Sequence, residues 1–482
     1  MTGPEQDRLD EMIEQGLGDI VPGEGVIEEV NPWRRPIGRI AAGMALTGIT
    51  LNFLYLQYLL PTLGAALQYL GFRTLRRSGP AFRLAWVLSL VRLVWHAVWL
   101  MLSASPWMPE GTLSYALELV GMAVQIVQLL ALRAGLREVC RRAEVEQQGD
   151  PLGAAVIWQL LIVVLALSPL SQSWLAVILM LIAFGLIIRS LVRVGGSLGG
   201  AGYCFVDAPV WVGSRMMKWG YFLGCLALVA LTCVAVNHPR LDAQPLPAPG
   251  EAETRQALAA LGMPEEVLAD LSDEHVRALE GALHVEVQEE TLAFRPPWAN
   301  TTATEVPPGT QWMRAAIIYI ELPDSRMAVL NYFDWQTGSA CWNDAIALGW
   351  QQYNDTLADL TGGALLYEKN GQSYTALLPQ LGAGSMTTND WFFGEQTEQR
   401  IIGTVSYPFG AENARGYVLY ILQLDDLSAV GVTRGNTMLD YYHRTGPLTM
   451  PYHSPAELTS GWQSGALRSF WGMFEAVGQD GG

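Results

Sequence analysis

Arg92, His96 and Glu118 are the residues best placed to do chemistry, because each lies within a hydrophobic stretch. An ionisable side chain in the hydrocarbon region costs roughly 2.5–3.5 kcal/mol on insertion scales, so it is kept there only with a partner or a task. Arg92 and His96 are four residues apart and share one helix face. Glu118 lies on the following stretch at the same depth as His96, at ~1.5 Å of rise per residue. Arg92 sits a turn deeper, within reach of that carboxylate through its flexible stem. Gln125 and Gln128 extend the polar stripe inward. The spacing predicts that Glu118 pairs with Arg92 and His96. Such a group serves as a proton or ion relay or a signal-coupling element, or else as hydrogen-bonded glue between helices.

A second set lies between Asn331 and Asp355: Asp334, Trp335, Trp342, Asp344, Trp350 and Tyr353. Aromatic faces beside acids can stack on and hydrogen-bond to a ligand such as a sugar, and the same aromatics can instead fill a core. His443 and His453 flank a loop near Asp440, but their ten-residue spacing is not a metal signature, and no metal or cofactor is expected. Nucleophile-elbow, P-loop and HExxH patterns are absent. No carboxylate pair stands out from the surface acids as a glycoside-hydrolysis pair.

The elements that must carry these residues divide the chain in two. Residues 1–237 hold 17 Lys and Arg against 16 Asp and Glu, while residues 238–482 hold 12 against 30, a net of −18. So acidic a half repels phosphates, which argues against a nucleic-acid partner. Apolar stretches fill 37–72, 84–103, 113–132, 154–170, 174–188 and 220–236. A spanning helix needs about 20 apolar residues, so 37–72 is too long for one crossing. Pro61 interrupts it and predicts two short spans, 37–55 and 59–74.

Cytoplasmic loops collect Lys and Arg. Arg34, Arg35 and Arg39 precede the first pair, and Arg73, Arg76, Arg77 and Arg83 follow it, so both flanks are expected inside. The loop 104–111 has no Lys or Arg, whereas Arg133, Arg137, Arg141 and Arg142, then Arg189 and Arg193, then Arg215 and Lys218 mark later inner loops. The expected result is a bundle of seven helices over 37–237. An acidic cytoplasmic segment precedes it at 1–36, and the C-terminal domain lies outside the cytoplasm. The polar start contains no cleavable signal, so the first span is expected to act as the insertion signal.

Residues 238–250 are rich in Pro and Ala and read as a linker. Short helices are expected over 251–282, with Ser272 as an N-cap and Gly281 as a stop. From 283 the pattern alternates with period two, and Asn370-Gly371 is a strong hairpin signal. Strand pairs are expected at 313–322 with 326–335, at 364–367 with 373–378, and at 400–407 with 415–424. The fold class is therefore an α-helical transmembrane bundle plus an outer α+β domain, 251–482, dominated by an antiparallel β-sandwich or jelly roll over 283–465. A helix over 466–477 closes it.

Leu-Leu-Pro-Thr-Leu-Gly (59–64), Gly-Tyr (202–203) with Asp-Ala-Pro-Val (207–210), Leu-Ser-Asp-Glu-His (271–275) with Leu-Glu-Gly-Ala (279–282), and Arg-Gly-Tyr-Val (415–418) are short motifs spread over most of the chain. In these the chain resembles multi-pass membrane proteins of Gram-positive, clostridia-like bacteria with a C-terminal extracytoplasmic β-domain. The resemblance implies that architecture and no activity. The expected partners are the lipid bilayer and an extracellular ligand or envelope protein. A transporter or ion-coupled channel with an accessory domain, and a membrane-tethered hydrolase, are the alternatives.

Overall fold

The computed structural model describes residues 32–48, 55–109, 111–146, 149–166, 168, 173–201, 203, 205, 210–238, 241–296, 306–350, 355–390, 394–424, 432–460 and 466–477. These fall into two compact units, one within 1–103 and 107–229, the other within 104–106 and 230–482.

In the first unit the described helices are α1 (Arg34–Gly48), α2 (Leu56–Leu75), α3 (Pro80–Ser103), α4 (Gly111–Arg142), α5 (Pro151–Ala166), α6 (Trp174–Gly200) and α7 (Ser214–Asn237). Four of them, α3, α4, α6 and α7, are long and apolar enough to cross a membrane. The long apolar stretch at 37–72 is two helices, with Pro61 inside the second turn of α2, where a missing N–H costs little.

Small residues bring α1 and α2 together. A Cβ added at Gly43 would lie 2.6 Å from the Gly64 carbonyl oxygen, and one at Gly71 would lie 2.7 Å from that of Pro36. Only glycine allows backbones to approach so closely, and in lipid this dispersion contact replaces the hydrophobic drive. The contact also fixes Gln68 of α2, whose amide N donates to Thr47 Oγ1 of α1 at 3.0 Å.

The second unit is built on two antiparallel sheets. Its elements are β1 (Gln244–Pro245), α8 (Ala252–Ala260), α9 (Glu265–Asp270), α10 (Asp273–Ala278), β2 (His284–Phe294), β3 (Gln311–Leu322), β4 (Arg326–Thr337), β5 (Asp344–Trp350), β6 (Asp355–Lys369), β7 (Gln372–Leu377), β8 (Gly382–Asp390), β9 (Gly394–Val405), β10 (Glu412–Leu424), β11 (Val432–Tyr442), α11 (Pro455–Ser460) and β12 (Leu467–Val477). The strand orders are β1-β7-β6-β10-β4-β3-β2 and β12-β11-β5-β9-β8.

The two sheets share one core, to which Tyr319, Phe333 and Val418 contribute from one side and Ile346, Leu439 and Phe474 from the other. The opposite face of the larger sheet is covered by α8–α10, through Leu258, Val267 and Val276 against Ile318, Leu330 and Leu419. Strand β4 is therefore buried on both faces, which is why it reads as a continuous apolar run and not as an alternation. The β6–β7 hairpin turns at Asn370 and Gly371, whose φ values of 54° and 76° are those a two-residue turn of matching twist requires.

Three expectations are corrected. Residues 466–477 form strand β12 and not a helix: Phe470 and Phe474 are buried while Trp471 and Met473 are exposed, a period of two. The 238–250 stretch is not a free linker, since Gln244 and Pro245 pair with Thr375 and Tyr374 of β7, at the sheet edge where a proline is tolerated. Residues 400–407 and 415–424 do not form a hairpin, because β9 and β10 belong to different sheets. The chain crosses between sheets there, held by Tyr407, whose N–H donates to the Ala340 carbonyl at 2.7 Å and whose hydroxyl donates to that of Arg415 at 2.6 Å.

Two polar contacts tie the short helices to the sheet. Arg415 grips Asp270 with Nε to Oδ2 at 2.6 Å and Nη2 to Oδ1 at 2.8 Å, and the Tyr332 hydroxyl adds a third bond at 2.9 Å. His275 Nδ1 lies 2.8 Å from the Tyr417 hydroxyl, whose oxygen accepts from Ser272 N–H, so the phenolic proton is available to Nδ1 and the buried ring is neutral. Burial holds its pKa below the usual 6.5. Between 6.5 and that lower value the unfolded chain holds more protons than the folded one, so stability is lost as pH falls below 6.5. Thermal melting followed from pH 7.5 to 5.5 should show a falling melting temperature, and His275→Gln should flatten that slope. An unchanged slope would show that His275 does not contribute to it.

Candidate functional site

The intramembrane polar residues converge, with one exception. Arg92 Nη1 donates to Gln68 Oε1 at 2.8 Å and Gln128 Oε1 at 2.7 Å, and Nη2 donates to Gln125 Oε1 at 3.3 Å. The amide nitrogens of the three glutamines all point away from the cation. That of Gln68 goes to Thr47, that of Gln128 to the Ala85 carbonyl at 3.3 Å, and that of Gln125 to Gln159 Oε1 at 3.1 Å. These outer bonds fix the amide orientation, so three oxygens face one guanidinium. His96 Nε2 lies 2.9 Å from Thr62 Oγ1, and that hydroxyl donates its proton to the Tyr58 carbonyl at 2.6 Å. Thr62 must then accept from His96, which places the imidazole proton on Nε2.

Glu118 is the exception. It is exposed on α4 and makes no ion pair or hydrogen bond with Arg92 or His96. The depth match was sound, but depth alone does not fix azimuth, and Glu118 points off the face that carries Gln125 and Gln128. Sequence reasoning missed Gln68, Thr62 and Gln159. Gln68 was readable in principle, as an amide within the apolar run of α2 on the span before Arg92.

Around this group lies a cavity of about 460 Å³. Arg92, His96, Gln68, Gln125 and Gln128 line it together with the apolar Val91, Trp95, Val120 and Val124.

The six residues suggested as an outer ligand platform do not assemble. Trp335 and Trp350 are core residues, 5% and 8% exposed, and Asp344 is fully buried. Asp334 is half-buried between Arg314 and the β4 edge, and burial raises its carboxyl pKa. Trp342 packs edge-on against Phe409 at 5.1 Å, away from the others. Tyr353 lies outside the described residues. Aromatic area was drawn into the core, the larger energetic return.

Asp344 instead organises a buried network. Its Oδ2 accepts from the Tyr441 hydroxyl and from His443 Nδ1, each at 2.9 Å, and its Oδ1 accepts from Arg444 N–H at 2.7 Å. The Arg444 guanidinium reaches Asn237, the last residue of α7, which is itself fully buried. Asn237 Nδ2 donates to the Pro447 carbonyl and to Thr449 Oγ1, each at 2.8 Å. Asn343 caps the helix end, its N–H donating to the Asn237 carbonyl and its Nδ2 to that of Val236, both at 2.9 Å. A helix C-terminus leaves carbonyls without partners and carries partial negative charge, so an amide cap and an arginine are the chemistry it requires.

His443 is thus spent on Asp344, and Asp440 is bound by Arg400 Nη1 at 2.6 Å. His453 stands exposed beside Glu457. Among the described residues no three side chains are grouped to hold a metal ion.

Removing a glutamine oxygen from Arg92 leaves a buried donor short of an acceptor, worth about 1–3 kcal/mol. Gln128→Leu should therefore lower the melting temperature of the detergent-solubilised chain by several degrees, whereas Glu118→Gln should leave it unchanged. Equal losses in both would restore an ionic role for Glu118.

No known family profile matches the chain, and no curated protein matches it. Among solved structures, the collagen-binding subdomain of the Enterococcus faecalis surface protein ACE aligns over 32% of this chain and 88% of its own, at 6% identity and a TM-score of 0.19. The collagen-binding domain of a Staphylococcus aureus adhesin aligns over 32% and 91%, at 14% identity and 0.18. That of the Erysipelothrix rhusiopathiae surface protein RspB aligns over 39% and 59%, at 10% identity and 0.19. Superpositions this poor carry no inference about what the present chain binds.

Proposed function

We propose that this is an integral membrane protein of the cell envelope whose two-sheet domain lies outside the cytoplasm and engages a ligand or partner protein, with α7 as both its anchor and its read-out. The observation that carries this is the burial of Asn237, at the end of an apolar helix, in the polar core network of the domain it leads into. A tether needs only a flexible segment, and a buried cap of five hydrogen bonds around one helix end is more than a tether requires. Such a junction makes a change in the domain a change at the helix.

Two further observations support the reading. The distribution of Lys and Arg before residue 237 places the helix exits and the acidic domain on the outer side. The buried state of Asp344 and His443, at 0% and 3% exposure, commits the one acid–histidine pair of the described core to structure, which removes support from a hydrolase.

Alkaline phosphatase is active only outside the cytoplasm and green fluorescent protein folds poorly there after export. A C-terminal phosphatase fusion should be active and the matching fluorescent fusion dark. A bright fluorescent fusion with an inactive phosphatase would overturn the proposal.

A further inference from the structure

The contents of the cavity between α2, α3 and α4 have an electrical imbalance. Arginine stays charged at any physiological pH. Arg92 is the thirteenth of the 24 residues of α3, so either helix end is about 18 Å away at ~1.5 Å per residue, too far for the side chain to snorkel out. Yet its partners among the described residues are three neutral amide oxygens. They satisfy N–H groups but cancel no charge.

The way the guanidinium is used is also uneven. Nη1 carries two strong bonds and is saturated. The Nε/Nη2 edge carries one contact, at 3.3 Å. In the outer domain of the same chain that very edge of Arg415 takes both oxygens of Asp270. It is the geometry that matches a carboxylate or phosphate fork.

The walls narrow the ligand further. Val91 and Val120 line the cavity and are also 49% and 54% exposed, so the opening lies on the apolar outer surface of these helices. Trp95 and Val124 continue the apolar wall inward. His96, with its proton on Nε2, leaves the Nδ1 lone pair as an acceptor a helical turn from Arg92. A volume of about 460 Å³ falls in the usual range for small-ligand sites, roughly 300–1,000 Å³.

We propose that this cavity is a binding site for an anionic amphiphile, a single carboxylate or phosphate group on an apolar chain, which enters from the lipid side and pairs with the Nε/Nη2 edge of Arg92. The three glutamines hold the guanidinium so that its free edge faces the ligand. The anion supplies the charge that the protein withholds. A fatty carboxylate and an anionic phospholipid share this chemistry, and experiment separates them.

The full chain, purified in a neutral maltoside detergent, would be titrated with sodium palmitate or phosphatidylglycerol. Hexadecanol and diacylglycerol would serve as uncharged counterparts, with melting temperature and native mass spectrometry as readouts. A saturable rise in melting temperature with one or both anions, absent with the uncharged pair, is expected. Palmitate alone acting would identify a free carboxylate, and phosphatidylglycerol alone a lipid headgroup. Arg92→Gln should weaken binding at least tenfold. Val124→Trp, which fills the cavity and leaves Arg92 untouched, should do the same and carries the test if the first variant does not fold. Binding of the uncharged compounds equal to that of the anions, no binding of either anion, or full binding by a folded variant would each overturn the proposal.

Discussion

Asp344 is buried without any contact with water, and everything at the start of the two-sheet domain is arranged around that fact. A carboxylate in such a place must be met by donors at each oxygen or it destabilises the fold by several kcal/mol. Three groups close in sequence, Tyr441, His443 and Arg444, supply them. Because Arg444 gives its backbone N–H to Asp344, its side chain is aimed elsewhere, and it finds Asn237. The end of α7 is thereby drawn into the same network. Its terminal carbonyls are met by Asn343, the residue next to Asp344 in the chain. One buried acid thus dictates where β5 and β11 meet, how the segment after Tyr442 turns, and how the helix terminates. The network is cooperative in that each member orients the next.

The helices follow a different rule with the same physics behind it. Arg92 lies where ionisable groups are expensive, and the chain surrounds it with amides and no acid. Amides cost less to bury than carboxylates and hold a definite orientation when their nitrogens are bonded outward, as those of Gln68, Gln125 and Gln128 are. The close approach of α1 and α2 at Gly43 and Gly64 belongs to this arrangement, since it is what brings Thr47 to Gln68.

How much of this was legible depended on the range of the interaction. The helix segments were readable because apolar length is a local property, and the Asn370-Gly371 turn was readable because positive φ selects its residues. The clustering of Arg92, Gln125 and Gln128 followed from depth along neighbouring helices. The place of Glu118 did not, because rotation about a helix axis depends on packing partners far away in sequence. The aromatic segment misled for a similar reason. Trp335 and Trp350 look like a surface platform only when the second sheet is not yet known to cover them. Strand β12 was mistaken for a helix because Leu467, Phe470, Trp471 and Phe474 also fit a helical spacing, and only pairing with β11 decides between the two. The Asp344 network joins residues about 100 positions apart, with Asn237 about 200 from Arg444, so no local signal announced it.

The central claim, that the end of α7 is energetically part of the two-sheet domain, is tested most directly by a double-mutant cycle. Asn237→Ala, Arg444→Ala and the double variant would be unfolded by denaturant as full chains in detergent, with tryptophan fluorescence as the signal. Residues in one buried network show interaction energies of about 0.5–3 kcal/mol, whereas independent sites add to within about 0.5 kcal/mol. The account predicts a coupling above about 1 kcal/mol between the two positions. Strict additivity would contradict it, and α7 would then be no more than a tether.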